Sequence, residues 1–374
     1  MRRLSLVAAS VALLIAVLVP PAAGAPLMFP TRVQDGFATP GPPTVTAAAW
    51  ILFDESSETV LASQLPTQER AMASTTKIMT GLLAVERTNL ADVVTVSQRA
   101  ADTGEREIGL VAGEQVTMSA LLKAAMIYSA NDAATAIAEY VGGSVEGFVD
   151  MMNERARELG LTETRFANPH GLDAPDHYSS AGDLLDLARV AMAYPEFSDT
   201  VRARIVVFPD APDGSQRIGT TTNLLLGDYE GSGGIKTGFT SQALLTFVAT
   251  AEREGRRLYV VVLGSEGRRA HFADARALFD YGFSQLAIYG TVSTGNPYVS
   301  VKQRVEPGPL VATSNIETFI LLAGQGLMTD PPAATAAEPA PIPAPVEVVN
   351  RYPASSPDSL WTAFTFWWDQ ASGS

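Results

Sequence analysis

The 374-residue chain contains no cysteine. Disulfides, cysteine nucleophiles and thiolate metal sites are thereby excluded, so the fold must rest on the size of its core. Basic side chains are scarce, with 26 Lys and Arg against 40 Asp and Glu and a formal net charge of −14. A protein that neutralises phosphates needs a basic face, so no nucleic-acid partner is expected. There are only 3 histidines, and none stands in an H-E-x-x-H pair. No serine stands in G-x-S-x-G. The zinc-protease helix and the nucleophile elbow of the α/β-hydrolases are therefore both missing. Beyond the first 25 residues there is no apolar run of about 20 residues, the length a membrane-crossing helix needs.

What is present describes a packed enzyme-sized protein. Hydrophobic residues make up 47% and charged residues 18% of the chain, a composition that buries a large core. The N-terminus is arranged for export. Arg2 and Arg3 precede the apolar run LVAASVALLIAVLV, and small residues follow up to Gly24 and Ala25. Residues 1–25 read as a secretory signal peptide, with an uncleaved anchor as the alternative, which places the protein in the periplasm or cell-wall space.

Residues 26–44 are rich in Pro and Gly and expected to be extended. TAAAWILFD and TVLAS, separated by DESSE, predict a hairpin. A helix is expected from Ser74 through TKIMTGLLAVER, with Ile78, Met79, Leu82, Leu83 and Val85 on its apolar stripe. Three further helices follow. One is capped at Thr117, one ends on Gly160, and one opens with Ser180 and Asp183 as a capping box. GGIKTGF, ALLTFVATAE and RRLYVVVLGSE then read as strands, with EREG as the turn between the last two, and FADARALFDYGF closes the unit as a helix. Strands at both ends around a helical block predict an antiparallel sheet covered by helices. Residues 286–328 read as a small β appendage and 329–349 as a Pro/Ala-rich linker. Residues 350–374 form an aromatic tail in which Trp361, Phe364, Trp367 and Trp368 fit one face of an interfacial helix. Association with a membrane surface is one reading of that tail; docking back on the domain is the other.

Three polar stretches carry chemistry. Ser74 precedes Lys77 by three residues in M-A-S-T-T-K-I-M. Alone, that spacing is an ordinary helix start with a capping serine. Ser129 and Asn131 lie in Y-S-A-N-D, where one helix gives way to the next and Asp132 is a candidate cap. Lys236 and Thr237 lie in G-G-I-K-T-G, where flanking glycines permit close backbone approach. Taken singly, the last stretch is a glycine-rich edge strand. S-x-x-K, then S-x-N, then K-T-G in that order is a strong joint signal.

With these motifs the stretches ASTTKIMTGLLAVE, MIYSANDAATAIAEYVGG, FANPHGLDAPDHYSSAGDL and GGIKTGFTSQA resemble a serine-type D-alanyl-D-alanine carboxypeptidase, a low-molecular-mass penicillin-binding protein. The resemblance covers residues 45–285, about two-thirds of the chain. It implies an α+β fold of the serine β-lactamase and penicillin-binding-protein type, an antiparallel sheet from both chain ends plus a helical subdomain. It implies an acyl-enzyme on Ser74. Lys77 would be the general base, Ser129 a proton relay, and Asn131 a holder of Lys77 and the substrate amide. Lys236 and Thr237, with Gly238, Phe239 and His271 beside them, would bind substrate, and the N–H groups of Ser74 and Phe239 would form the oxyanion hole. The implied ligands are a peptidoglycan stem peptide ending in D-Ala-D-Ala and β-lactam inhibitors, with no cofactor and no metal.

Two positions depart from the family pattern. His271 stands where an arginine often contacts the substrate carboxylate, with Arg268 and Arg269 close by. Ala243-Leu244 stands where an Ala-Gly pair is usual, so the strand there is expected to pack differently. Three other readings stay open from sequence: a β-lactamase, a D,D-endopeptidase, and a non-catalytic wall-binding protein. The E-x-x-L-N stretch by which many β-lactamases deacylate is absent, and T-E-T-R-F does not replace it. A zinc site from His170 and His177 with Asp173 or Asp176 has no metalloprotease spacing to support it. A hydrogen-bonded structural role for His170, in a loop bordering the site, suits the N-P-H-G-L stretch better.

Overall fold

The computed structural model describes residues 41–289, with side chains to 286, and the backbone of Val348–Val349. The expected signal peptide and aromatic tail lie outside the described residues, as does the linker except at 348–349. Of the expected β appendage, residues 286–289 are helical and continue the last helix, and the rest lies outside the described residues. Strands β1 (Ala49–Asp54) and β2 (Thr59–Gln64) form the first hairpin. A 3-10 turn over Ala73–Thr76 leads into α1 (Lys77–Arg87). The short pair β3 (Val93–Thr95) and β4 (Gln115–Thr117) flanks α2 (Gln98–Ala101). Then come α3 (Met118–Lys123), a π turn over Ala124–Tyr128, α4 (Asn131–Gly142), α5 (Val145–Glu158), α6 (Ala181–Met192) and α7 (Pro195–Arg202). Strands β5 (Ile205–Phe208) and β6 (Arg217–Thr220) pair with each other, and β10 (Val348–Val349) adds to β5. The long strands β7 (Ser232–Thr240), β8 (Leu244–Arg253) and β9 (Arg256–Ser265) lead to α8 (Ala270–Tyr289).

The main sheet has the order β2-β1-β9-β8-β7, all antiparallel. An N-terminal strand thus pairs with a C-terminal one, Leu52 opposite Val260. All six residues of β1 are buried because helices cover both faces of the sheet. Alternation then sorts the side chains. Ile51 and Phe53 point into a core shared with α1, α4 and α6, whereas Trp50 and Leu52 meet Phe279 and Leu278 of α8. The sheet ends in β2 on one side and, on the other, in β7, the strand that carries Lys236 and Thr237.

Helix ends follow local chemistry. Thr117, Ser144 and Ser180 each accept a backbone N–H with the side-chain oxygen at an N-cap, and Gly160 takes φ +71 just past α5. The expected capping box at α6 is only half formed. Ser180 Oγ accepts from Asp183 N, but the Asp183 carboxylate accepts instead from Glu163 N and Thr164 Oγ1. Burial raises that carboxyl to about 7.

Candidate active site

Ser74 lies on the 3-10 turn and not at a helix cap, since neither Met72 nor Thr76 makes a capping bond and α1 begins only at Lys77. This corrects the expectation of a helix starting at Ser74. The turn is held from several sides. Ala73 adopts φ +49, Met72 O accepts from Thr75 Oγ1 and Thr246 Oγ1, and Thr76 Oγ1 bonds Ala73 O. Two glycines let neighbouring backbone press against it. A Cβ on Gly238 would lie 2.8 Å from Ser74 N, and one on Gly171 would lie 2.0 Å from Ala73 O. No side chain fits at either place, so strand β7 and the 168–172 loop both lie directly on the serine turn.

One helical turn on, the ammonium of Lys77 is buried with three acceptors within reach. Its Nζ donates to Ser74 Oγ at 3.0 Å, Asn131 Oδ1 at 2.7 Å and His170 O at 2.6 Å. Burial first, and then the Arg106 cation, bring its pKa from 10.5 down to about 7. An amine in that range is free to accept a proton near neutrality.

The second motif sits at a break between helices. After α3 the chain widens into a π turn, a distortion that recurs at functional sites. Ser129 closes it at φ +69, and α4 starts at Asn131. Ser129 Oγ accepts from Lys236 Nζ at 2.8 Å. Asn131 spans the gap to a neighbouring loop, its N donating to Arg106 O at 2.6 Å and its Nδ2 to Gly104 O at 3.1 Å. Asp132 does more than cap α4. It accepts from Ala133 N, and also from Ile108 N and Leu110 N, so it anchors the 104–110 loop to the helix start. Burial raises its carboxyl pKa, opposed by those three N–H donors.

The third motif is on β7, at the sheet edge. Lys236 Nζ also donates to Thr237 O at 3.0 Å, and Thr237 Oγ1 donates to Thr222 Oγ1 at 2.6 Å. Burial, then Lys77 and Arg106, push Lys236 well below its ordinary pKa. Ser74, Ser129, Asn131, Thr237, Gly238, Phe239 and His271 line one cleft. The two lysines are buried behind that lining, Lys77 bonded to Ser74 and Asn131 and Lys236 to Ser129. The side walls are largely apolar, built from Leu172, Phe239, Leu245 and Phe272.

His271 is in that cleft but is not a cation. Burial lowers its pKa to about 3, and its ring lies against Phe272 and Phe247 with Nδ1 unpartnered among the described residues. Arg268 and Arg269 line the same wall. Leu244, where the family pattern has glycine, takes φ +57, a left-handed conformation that glycine adopts at no steric cost and leucine does not.

The other two histidines are structural. His177 Nδ1 accepts from Ala167 N, which leaves Nε2 to donate to Thr76 Oγ1 at 2.8 Å. Burial keeps it neutral, with a pKa of about 4. His170 reaches the site through its main chain, since its carbonyl is a partner of Lys77. Among the described residues no group of side chains could hold a metal ion. Sequence reasoning missed the His170 carbonyl, Thr222 and Arg106. Only N-P-H-G-L was a visible signal among these, and a backbone contact leaves no residue type to read.

A family model described as D-alanyl-D-alanine carboxypeptidase matches residues 37–267. The D-alanyl-D-alanine carboxypeptidase DacF of Bacillus subtilis is 32% identical over 285 residues, spanning 75% of this chain and 73% of that protein. DacC of Escherichia coli is 36% identical over 276 residues, 70% of this chain and 67% of that protein. Among solved structures, the DD-transpeptidase of Streptomyces K15 aligns with a TM-score of 0.62 at 30% identity, covering 66% of this chain and all of that one, 100%.

Proposed function

From the premise that the chain belongs to the D-alanyl-D-alanine carboxypeptidase family, we propose that Ser74 is its nucleophile and Lys77 the base that activates it. The reaction is that of a serine-type D-Ala-D-Ala carboxypeptidase, release of the terminal D-alanine from a peptidoglycan stem peptide. The observation that carries the assignment is the 3.0 Å contact between Lys77 Nζ and Ser74 Oγ, with the amine brought to about 7.

Ser74 Oγ attacks the carbonyl of the penultimate D-Ala while its proton passes to Lys77 Nζ. The developing oxyanion sits between the N–H groups of Ser74 and Phe239. Removing a donor of this kind costs about 10²–10³ in rate. As the C–N bond breaks, the proton taken up by Lys77 passes through Ser129, which Lys236 holds at 2.8 Å, to the leaving D-Ala amine, and Lys77 is neutral again. Water then attacks the ester, giving a proton to neutral Lys77, which passes it to Ser74 Oγ as the acyl C–O bond breaks and the hydroxyl is restored. Lys236 and Thr237 receive the terminal carboxylate, and a bound anion would restore the Lys236 charge that burial opposes. His271 supplies a neutral ring to the same wall, so the cationic character there belongs to Arg268 and Arg269.

Export by residues 1–25 and membrane contact by 350–374 complete the reading. They rest on the sequence pattern, and among the described residues no helix is long and apolar enough to cross a membrane. Fractionation of the full chain beside one lacking 350–374 tests the tail.

Labelling with a fluorescent penicillin, and D-Ala release from diacetyl-Lys-D-Ala-D-Ala, test the whole assignment. Durable label with D-Ala release is expected, and both disappear in Ser74→Ala. Label that decays within seconds would mean a β-lactamase instead. No label with Ser74 intact would leave neither reading standing.

A further inference from the structure

Charge is placed unevenly around the cleft. Arg268 and Arg269 line it just before α8, and Lys236 lies buried behind Ser129. On the helical side, Glu105 is the one carboxylate among the described residues lining the cleft. Its position is fixed by its neighbours rather than by its own contacts. Gly104 O accepts from Asn131 Nδ2, and Arg106 O accepts from Asn131 N. Arg106 is in turn folded onto Tyr128, donating from Nε to its carbonyl with the guanidinium 4.3 Å over its ring. Between these tied residues Glu105 takes φ +69, a conformation a non-glycine side chain keeps only where its surroundings demand it. Its side chain is exposed, and among the described residues no ion pair or hydrogen bond engages the carboxylate.

This arrangement has a consequence for substrate choice, and it rests on the D,D-carboxypeptidase reading above. If the substrate's terminal carboxylate lies against Lys236, the residues on its acyl side run back past Asn131. They therefore pass the Gly104–Arg106 segment that Asn131 holds. We propose that Glu105 is a specificity residue that receives a side-chain ammonium on the stem-peptide residue preceding D-Ala-D-Ala. The ammonium of a lysine and that of a diaminopimelate residue share this chemistry. The cleft would then match a peptide that is anionic at its C-terminus and cationic one residue upstream of the D-Ala pair.

Exposed ion pairs are weak, so the expected preference is small, up to about fivefold. It is read as the ratio of kcat/KM for Nα-acetyl-L-Lys-D-Ala-D-Ala, with its free ε-ammonium, over the diacetyl peptide in which that charge is capped. The ratio should be about three to five in the native enzyme and fall towards one in Glu105→Gln. It should also shrink between about 0.01 and 1 M salt, as screening of an exposed charge requires. A meso-diaminopimelyl peptide should show the same Glu105-dependent advantage over its capped form. A native ratio of one, a ratio unchanged in Glu105→Gln, or an advantage confined to the diaminopimelyl peptide and indifferent to Glu105 would each overturn the proposal. So would an equal fall on both peptides, the result expected if Glu105 activated water. Failure of the native enzyme to cleave even the diacetyl peptide would instead count against the carboxypeptidase reading itself.

Discussion

At Lys77 two causes act in one direction, burial and the Arg106 cation, and bring the amine to about 7. The base is active only when neutral, so the active fraction grows as pH rises through that value. kcat/KM on a D-Ala-D-Ala peptide should therefore rise about tenfold per pH unit below about 7 and level off above it. Lys77→Arg keeps a cation at this position at every accessible pH, because guanidinium does not lose its proton. A fall in kcat/KM of at least about 10³-fold is expected, with no recovery at pH 9, and a pH–rate series on both proteins checks it. Stability has its own pH sign. The unfolded amine holds its proton to about 10.5, whereas the folded one releases it near 7. Between those values the unfolded chain binds more protons, so this group's contribution to stability rises with pH across that window.

The elements that carry the site were visible from their sequences for different reasons. The hairpin of β8 and β9 follows from two apolar runs with E-G between them, and both turn residues take positive φ, Glu254 at +52 and Gly255 at +74. That is the two-residue turn whose twist suits a hairpin, and it favours Asn at the first place. Glu254→Asn should raise stability by about 0.5–1 kcal/mol by relieving the left-handed glutamate. The gain is expected as a rise in Tm of about 1–4 °C in thermal unfolding, with peptidase activity unchanged. S-x-x-K and K-T-G were legible because their chemistry requires particular side chains at fixed spacing. The serine turn was not, since nothing in A-S-T-T announces a 3-10 turn whose shape is imposed by Gly171 and Gly238 arriving from distant sequence. Asp132 likewise read as a local cap, whereas two of its three backbone partners come from residues 108 and 110. Local signals cannot report contacts made by another part of the chain.

Across the whole molecule, the cleft depends on keeping the helical block in register with the β7 edge. The 104–114 segment does this at one end through Asn131 and Asp132, and at the other through Glu114. Glu114 accepts from Val111 N and forms a buried ion pair with Arg217 of β6, their side chains 8% and 7% exposed. Arg217 also donates to Pro209 O, Asp210 O and Gly109 O, so one guanidinium joins the β5–β6 pair to the loop that carries Glu105. Breaking one partner leaves a buried charge without its counter-ion, at a cost of about 3–5 kcal/mol, whereas removing both is much milder. Glu114→Gln should thus lower the Tm by roughly 6–20 °C, taking about 2–4 °C per kcal/mol for a domain of this size. Glu114→Leu combined with Arg217→Met should recover most of that loss. If the segment also positions the site, catalysis responds separately from stability. At a temperature where Glu114→Gln remains folded by circular dichroism, its kcat/KM should still fall several-fold, because Gly104 and Arg106 are the supports of Asn131. A variant with lowered Tm but unchanged kcat/KM would show that Asn131 is held without this clamp.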